Sequence, residues 1–344
     1  MYRFALASFL ACVLSAATQA SETTHALIDR AMRQESSNGF TGVVLVAKGS
    51  DISFEKAYGA ERGVAMRPDS KFWIASAGKQ FVSAAILKCR DKGWLTLDDQ
   101  ISRFFPDAPS EKRTITIRQL LSHTSGFDQV YVTESTTSRD EAIKKILAVP
   151  LIDSPGDKFH YANNNYELAA AIVEIVSGET YRKFVKENLF RPAGMTRTGF
   201  SSDAGAATVV PAREETPARL AEAHWTEAGV YSTAGDLWRW YRALNAGHIL
   251  SPQSYRLLFA PVASISEGQS ALGWFIGKND AELRYVFTRG NEDWGPNSAI
   301  YAYPDTQTVI IVLTHANMAT DDLSWSRRVQ REVEALVFPA KPRL

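Results

Sequence analysis

Cysteine and net charge are both scarce in this chain of 344 residues. It contains two cysteines, Cys12 and Cys89, which are too few for a disulfide-stabilised scaffold. Its 38 basic residues balance 38 acidic ones, so the charge gives no indication of a nucleic acid or an anionic membrane as partner. With 45% hydrophobic residues, the chain can bury a substantial core and form one large domain or two.

Long apolar runs are also missing, and the first 20 residues contain only a short one. They carry a single charge, Arg3, then an apolar run as far as Leu14 and small residues up to Ala20. This pattern is typical of a secretory signal peptide, and the run is too short to span a membrane. We therefore expect residues 1–20 to be removed from a secreted, periplasmic protein without a membrane anchor. Cys89, within an apolar helical run, is predicted to be a core residue.

Two common hydrolase signatures are absent as well. The sequence has no Gly-x-Ser-x-Gly, so it lacks the usual nucleophile elbow of α/β-hydrolases. Neither His-x-x-x-His nor a Cys/His spacing occurs, so we expect no metal site and no other cofactor. The six histidines are His25, His123, His160, His224, His248 and His315.

Strand-like patterns occur towards both ends of the chain, and helical patterns lie between them. Residues 41–48 and 51–58 flank Gly49-Ser50, which is typical of a β-hairpin. Alternation and β-branched residues predict further strands, short amphipathic patterns predict helices, and residues 201–215 are predicted to form a surface loop. The later strands are 271–277, 283–288, 298–303 and 308–314; the helices are 24–35, 116–121, 140–147, 166–177, 181–190, 236–244 and 321–337.

This order predicts an α/β (α+β) fold, in which helices flank an antiparallel sheet built from both ends of the chain. We predict a sheet domain formed by residues 21–90 and 216–344, and a mostly helical domain inserted between them at 91–215. The clearest helix is 166–177, whose apolar face includes Ile175.

The most informative stretch is Trp73–Phe81, which contains a serine and a lysine three residues apart. An apolar run follows, so we place Ser76 and Lys79 on one exposed face in the first turns of a helix. A serine hydroxyl becomes nucleophilic when a neighbouring group takes its proton, and a partly desolvated lysine amine can take it. The N–H groups and the dipole of the helix N-terminus would stabilise an oxyanion there. The alternative is a solvated serine and lysine at a helix start.

A second Ser-x-x-Lys in the chain serves as a control. Ser53 and Lys56 have the same spacing, but they lie in the strand-like run 51–58. Residues three apart in a strand point to opposite faces of the sheet. We therefore expect no catalytic pair at this second copy.

Tyr161-Ala162-Asn163 is the second informative cluster, and it is the only Tyr-x-Asn in the chain. We place it in a loop before helix 166–177. A lysine ammonium stabilises the phenolate form of a neighbouring tyrosine, so Tyr161 could act as a proton shuttle. The amide of Asn163 could both donate to and accept from a substrate amide. The alternative, which the spacing alone favours, is a packed turn tyrosine followed by an Asx-turn.

Together these motifs resemble those of the serine β-lactamases of the class C type and their penicillin-binding-protein, D,D-carboxypeptidase and esterase relatives. That family carries Ser-x-x-Lys, then Tyr-x-Asn, then Lys- or His-Thr/Ser-Gly on a strand beside the cleft. The resemblance implies a β-lactamase/transpeptidase-like fold in which the sheet and the helical insert close around that cleft. Further segments that resemble the family are Gly93–Asp99, Leu120–Gly126, Pro192–Met195, Gly229–Leu237 and Leu272–Trp274.

By position, the resemblance implies a role for each side chain of the first two motifs. Ser76 would be the acylated nucleophile, Lys79 and Tyr161 the proton-transfer pair, and Asn163 a ligand of the substrate's acyl amide. The backbone N–H of Ser76 and that of the residue after the third motif's glycine would bind the oxyanion. The segment around His123 is a structural turn in the family, so we favour a packed or turn-capping histidine over a triad base.

The third motif is where this sequence departs from the family. The candidate is Thr288-Arg289-Gly290, and Asn291 would supply the second N–H. Threonine replaces the lysine or histidine that normally serves the proton network and the substrate carboxylate, which disfavours β-lactam turnover and D-Ala-D-Ala recognition. Arg289 could supply the charge only through a local twist, because adjacent strand residues face opposite ways. The alternative for Arg289 is a solvated charge at a sheet edge.

We therefore predict a serine hydrolase of the β-lactamase/penicillin-binding type, which cleaves a small-molecule or peptide ester or amide through a Ser76 acyl-enzyme. Thr288 favours a small ester or D-amino peptide over a β-lactam as substrate. The alternative is a non-catalytic module on the same fold that binds cell-wall peptide or a protein. The sequence does not predict the oligomeric state.

Overall fold

The computed structural model describes residues 24–133, 136, 138–210, 229–292, 295–316 and 324–339. The predicted signal peptide, the last residues of the predicted surface loop and the first residues of the predicted closing helix lie outside these ranges. Within the ranges, no helix combines the length and the apolar run that crossing a bilayer would need.

The strands and helices follow one another along the chain in much the order that the sequence patterns predict. The strands are β1 Gly42–Lys48, β2 Asp51–Tyr58, β3 Ala60–Glu61, β4 Val64–Ala65, β5 Phe72–Trp73, β6 Gly199–Phe200, β7 Val230–Ser232, β8 Ala263–Ile265, β9 Gly268–Ser270, β10 Phe275–Lys278, β11 Arg284–Asn291, β12 Asn297–Tyr303 and β13 Thr308–Thr314. The helices are α1 24–37, α2 Lys79–Asp91, α3 Ile117–Leu121, α4 Arg139–Ala148, α5 Asn163–Ser177, α6 Tyr181–Val185, α7 Arg191–Ala193, α8 Ala234–Asn245, α9 Pro252–Leu258 and α10 Trp325–Val337.

One large sheet organises the described part of the chain. Its eight strands have the order β2-β1-β13-β12-β11-β10-β9-β8, and neighbouring strands are antiparallel throughout. Strands from both ends of the chain meet where β1 pairs with β13. The predicted antiparallel sheet flanked by helices is therefore confirmed.

Strand β1 divides the core in two. Val43 and Leu45 belong to the larger core, which contains side chains of α2 and α5, and Val44 and Val46 belong to a smaller core with α1 and α10. All four side chains are at most 4% exposed. Because successive side chains of a strand point to opposite faces, a strand covered on both faces needs an unbroken apolar run. The same alternation in β11 assigns Val286 to the larger core and Phe287 to the smaller one.

Helix α5 differs from its prediction at its start and agrees with it at its end. It begins at Asn163, three residues before the predicted start, and it ends at Gly178 in the left-handed conformation. The placement of Ile175 on the buried face is wrong, because that side chain is 39% exposed. The fully buried residues of α5 stop at Val173, and in the last turn Val176 still packs against the larger core while Ile175 does not.

The strand predicted at 271–277 begins only at Phe275. Gly273 has a φ of 71°, which interrupts an extended strand, and a Cβ at this position would lie 2.4 Å from Ser83 Oγ. The short strands β8 and β9 were not predicted. The core position of Cys89 is confirmed, since the residue is fully buried and burial raises the pKa of its thiol to about 12.

Candidate active site

Ser76 lies where β5 turns into α2. A short 3-10 turn, Ala75–Gly78, contains Ser76, and α2 begins at Lys79. The predicted placement at the start of a helix is therefore confirmed, but the predicted exposure is wrong. Lys79 is 5% exposed and Ser76 is half-buried, because other segments cover this face of the helix.

The backbone before the nucleophile is strained. Ala75 has a φ of 50°, a left-handed conformation that residues other than glycine rarely adopt. The carbonyl of Ile74 accepts a hydrogen bond from Ser298 Oγ of β12 at 2.8 Å, which anchors the turn to the sheet. The apolar pattern of the sequence gave no signal for this strain or for the anchoring serine.

Three predicted side chains meet at the Ser76 hydroxyl. Its Oγ lies 3.1 Å from Lys79 Nζ and 2.9 Å from Tyr161 Oη. The Lys79 ammonium nitrogen also lies 5.3 and 5.6 Å from the ring centroids of Tyr161 and Tyr166, within the range of cation–π contacts. An amine and a phenol that both lie within hydrogen-bond distance of one hydroxyl can exchange a proton with it.

Asn163 is the first residue of α5, and its predicted position in a loop is wrong. Its side-chain oxygen Oδ1 is buried and has no hydrogen-bond partner among the described residues. Leaving a buried acceptor unpaired typically costs about 1–3 kcal/mol, so such an atom is disposed to accept a hydrogen bond from a ligand.

The third motif lies beside the nucleophile, at an open edge of the sheet. Strand β10 pairs with Arg284–Phe287 only, so the last residues of β11 pair with β12 on one side alone. A Cβ on Gly290 would lie 2.1 Å from Ile74 O and 2.9 Å from Ser76 N. Only a glycine allows this approach, which brings the end of β11 against the Ser76 turn. Asn291 follows at the exposed end of the strand.

Both interpretations of Arg289 are wrong. Thr288 is 2% exposed and shares the face of β11 that carries Val286, whereas Arg289 shares the opposite face with Phe287. The Arg289 guanidinium lies 4.8 Å from the Phe287 ring centroid and 2.7 Å from Glu267 Oε2. It is therefore neither turned to the face of Thr288 by a local twist nor solvated as a free edge charge, although the residue borders the recess beside Ser76.

Glu267 binds a second cation as well. Its other oxygen, Oε1, lies 2.8 Å from an Arg327 guanidinium nitrogen. The side chains of Glu267, Arg289 and Arg327 are between 22% and 31% exposed, so this cluster is partly shielded from water. A carboxylate that lies between two guanidinium groups neutralises part of the positive charge of each.

His123 is packed, as the sequence favoured, and it contacts the site directly. The residue is 3% exposed, its Nδ1 accepts a hydrogen bond from the Ala162 N–H at 3.1 Å, and its ring stacks on Tyr161 with centroids 4.4 Å apart. Burial, together with the nearby charge of Lys79, holds the pKa of His123 well below its usual range. The imidazole is therefore neutral.

These groups surround a narrow recess of about 20 Å³, room for about one water molecule. Gly273 and Trp274 of the loop before β10, together with Phe275 at the start of β10, form one wall. The sequence predicts this segment as part of a strand, and no local pattern indicates that it borders the recess.

Known proteins share this architecture. The PbpX protein of Bacillus subtilis, assigned to the penicillin-binding proteins, is 30% identical over 254 residues, which cover 69% of this chain and 62% of that protein. The octameric penicillin-binding protein homologue from Pyrococcus abyssi has a TM-score of 0.80 at 20% identity and covers 92% of this chain and 77% of its own. The D-amino acid amidase from Ochrobactrum anthropi SV3 has a TM-score of 0.78 at 19% identity and covers 92% of this chain and 97% of its own.

The two solved structures confirm the predicted β-lactamase/transpeptidase-like fold. The chain spans 62% of the length of the B. subtilis relative, so that similarity extends over part of that protein only. The Beta-lactamase family model matches residues 25–333, a range that contains all three motifs. The chain therefore belongs to the Beta-lactamase family.

Proposed function

We propose that this protein is a secreted, periplasmic hydrolase that cleaves a small neutral ester or amide through an acyl-enzyme on Ser76. The observation that carries the proposal is the position of Ser76 Oγ, 3.1 Å from Lys79 Nζ and 2.9 Å from Tyr161 Oη. Nucleophilic catalysis requires a hydroxyl with a proton acceptor in this range.

In the proposed reaction, Ser76 Oγ bonds to the carbonyl carbon while its proton passes to the Lys79–Tyr161 pair. Tyr161 then delivers a proton to the leaving oxygen or nitrogen as the bond to the carbonyl carbon breaks. Water attacks the acyl-enzyme, which releases the acid and restores the Ser76 hydroxyl. Asn163 Oδ1 would accept a hydrogen bond from an amide in the acyl group.

The backbone N–H groups of Ser76 and Asn291 would bind the oxyanion. Ser76 is the second residue of its helical turn, where an N–H has no acceptor within the helix. Gly290 brings Asn291 to the same place by its contact with the turn. Loss of one such donor typically costs about a hundredfold or more in rate.

The charges around the recess support a neutral substrate. Of the described residues that line it, Lys79 and Arg289 are cationic, but Lys79 contacts Ser76 and Arg289 is bound by Glu267. Thr288, which is neutral, occupies the position from which the family's cation would meet a substrate carboxylate. A β-lactam or a D-Ala-D-Ala peptide carries that carboxylate, whereas a simple ester or amide does not. The structural relative named an amidase supports an amide as one candidate.

Intact-protein mass spectrometry after a fluorophosphonate probe and, separately, a penicillin tests the proposal. Hydrolysis of p-nitrophenyl acetate is measured beside it, and Ser76→Ala and Ser53→Ala are the matched variants. We expect a fluorophosphonate adduct and ester hydrolysis that depend on Ser76 but not on Ser53, with little penicillin adduct. An efficient penicillin adduct would contradict the neutral-substrate proposal. No Ser76-dependent adduct with either probe would favour the non-catalytic binding module instead.

A further inference from the structure

His123 is buried at the candidate active site, and the proposed reaction does not use its imidazole. We infer that it is a positioning residue, which holds the Tyr161 hydroxyl over Ser76. The inference rests on the proposed function, because that function gives Tyr161 its proton-transfer role.

Two contacts link His123 to Tyr161. Its Nδ1 accepts a hydrogen bond from the N–H of Ala162, the residue directly after the tyrosine, at 3.1 Å. Its ring stacks on the Tyr161 ring at an angle of 24°, with centroids 4.4 Å apart. The first contact fixes the backbone that carries the phenol, and the second restricts rotation of the phenol ring. Together they leave the Tyr161 oxygen 2.9 Å from Ser76 Oγ.

His123 is itself held firmly. Its carbonyl accepts a hydrogen bond from the His160 N–H at 2.8 Å, so both residues that flank Tyr161 in sequence, His160 and Ala162, are bonded to His123. Its φ is 59°, a conformation that persists in a residue other than glycine only where the surroundings enforce it. The rings of Phe159 and Tyr166 lie 5.6 and 5.0 Å from the imidazole centroid. A rigid histidine can therefore transmit its position to the tyrosine.

The chemistry of imidazole explains why this position holds a histidine. A neutral imidazole combines a flat ring for stacking with one acceptor nitrogen, and acceptance at Nδ1 places the proton on Nε2. The titratable and polar groups that face it are Lys79, Tyr161, Tyr166 and the Asn165 amide at 3.5 Å. A proton on Nδ1 would remove the acceptor from the Ala162 N–H and place a second cation near Lys79. Phenylalanine would retain only the ring, and asparagine only an acceptor.

Two substitutions separate the two contacts. His123→Phe retains a stacking ring, and His123→Asn retains a possible acceptor and tolerates a positive φ. His248→Asn, which changes an exposed histidine, is the control. In an ester-hydrolysis assay, each His123 variant should lower kcat about ten- to a hundredfold with little change in KM, and thermal unfolding checks that each is folded. If both folded variants retain wild-type kcat, the inference is overturned.

A double substitution tests whether His123 acts through Tyr161. In a Tyr161→Phe background, which lacks the phenol to be positioned, His123→Asn should lower kcat less than about threefold, because its effect is already lost. An equal loss in both backgrounds would overturn the inference and assign His123 a separate role. The Ser76→Ala control keeps the two proposals distinct. If wild-type hydrolysis does not depend on Ser76, the proposed function fails; if it does and the double variant behaves additively, only the role of His123 fails.

Discussion

The chain contains Ser-x-x-Lys twice, in two regions that use it differently. In β2, Ser53 Oγ donates to a backbone carbonyl of β1 at 3.1 Å, and Lys56 Nζ pairs with Asp29 of α1 at 2.6 Å. At the start of α2, Lys79 Nζ lies 3.1 Å from Ser76 Oγ. A step of three residues brings side chains together on a helix and separates them on a strand. The same four-residue pattern therefore has a different chemistry in each element.

Burial separates the two copies further. The Lys56 side chain is 40% exposed and pairs with a carboxylate, whereas Lys79 is 5% exposed and lies between two tyrosine rings. Water and the carboxylate stabilise the Lys56 ammonium, while the Lys79 amine is partly desolvated. The proposed function assigns reactivity to the copy that another part of the fold covers.

The largest expected effect comes from removing each hydroxyl. Ser76→Ala should reduce p-nitrophenyl ester hydrolysis to the uncatalysed background, since no nucleophile remains, while the fold stays intact. Ser53→Ala should leave the rate within about twofold of wild type, since only a hydrogen bond on the sheet surface is lost. Steady-state kinetics and circular dichroism check both. Equal losses in the two variants would contradict the comparison.

Removing each amine should have the next largest effect. Lys79→Met is expected to lower kcat by about 10²–10⁴-fold, the usual contribution of a positioned proton-transfer group. Lys56→Met breaks a partly exposed ion pair, so it should leave kcat unchanged and cost no more than about 1 kcal/mol of unfolding free energy. Kinetics and urea denaturation measure the two effects. Near-normal turnover by folded Lys79→Met would exclude the lysine from the reaction.

The segment that packs against the Ser76 turn can be disturbed without changing either Ser-x-x-Lys copy. Gly290→Ala would place a Cβ 2.1 Å from Ile74 O, so the nucleophile turn must shift, and kcat/KM should fall about a hundredfold. Gly235→Ala in α8 is the matched control, because its nearest neighbour would lie at an ordinary 3.6 Å. A crystal structure of an active Gly290→Ala variant with an unmoved turn would contradict this reading.

Acid should affect the two regions at different pH values. Burial and the nearby charge of Lys79 hold the pKa of His123 well below its usual range in the folded chain, so below about pH 6.5 the unfolded chain protonates at this residue first and the free energy of unfolding falls as the pH falls. Protonation of Asp29 affects the free energy of unfolding only at a lower pH. Burial raises the pKa of its carboxyl, but hydrogen bonds from Lys56, Tyr58 and Arg33 outweigh this and lower it, so its contribution is lost only below about pH 3.9.

Urea denaturation between pH 4.5 and 8 measures the first step, and His123→Phe should flatten that part of the profile. Lys56→Met should leave it unchanged. An equally steep decline in His123→Phe would assign the acid sensitivity to another group.

The smallest expected effect concerns charge selection. Lys56 pairs with the carboxylate of Asp29. Near the active site, Arg289 pairs with the carboxylate of Glu267 on the face of β11 opposite to Thr288. Glu267→Gln should release part of the Arg289 charge and raise kcat/KM for an anionic ester about two- to fivefold relative to a neutral one. Glu282→Gln, which breaks the exposed pair with Lys278, is the control. Identical selectivity in both variants would mean that Glu267 does not set it.

Local patterns were enough to predict much of this fold and site. The spacing of Ser76 and Lys79 predicted their common helical face, and the two strand-like runs around Gly49-Ser50 predicted the hairpin of β1 and β2. The first two signals depend on residues close together in sequence, where the backbone period decides which side chains share a face. The common cleft was instead implied by the family resemblance, which rests on the Tyr-x-Asn cluster and the order of the motifs along the chain.

The remaining features depend on contacts between distant segments. The stacking of His123 on Tyr161, the ion pair of Arg289 with Glu267 and the burial of Lys79 follow from how α5, the β8–β9 turn and β11 meet. The left-handed Ala75 is unexpected from its residue type, since alanine has no preference for that conformation. Tertiary packing overrides local propensity at these positions, and they lie at the active site.

The bond between Ser298 and Ile74 joins residues 224 positions apart, and it has a consequence for the order of folding. The nucleophile motif emerges early in synthesis, but the strands that shape it arrive near the end of the chain. Contacts between such distant segments close large loops, which slows folding. A nascent or truncated chain that lacks β11 and β12 would therefore carry Ser76 and Lys79 in a chemically silent form. Activity would begin only when the last strands complete the sheet.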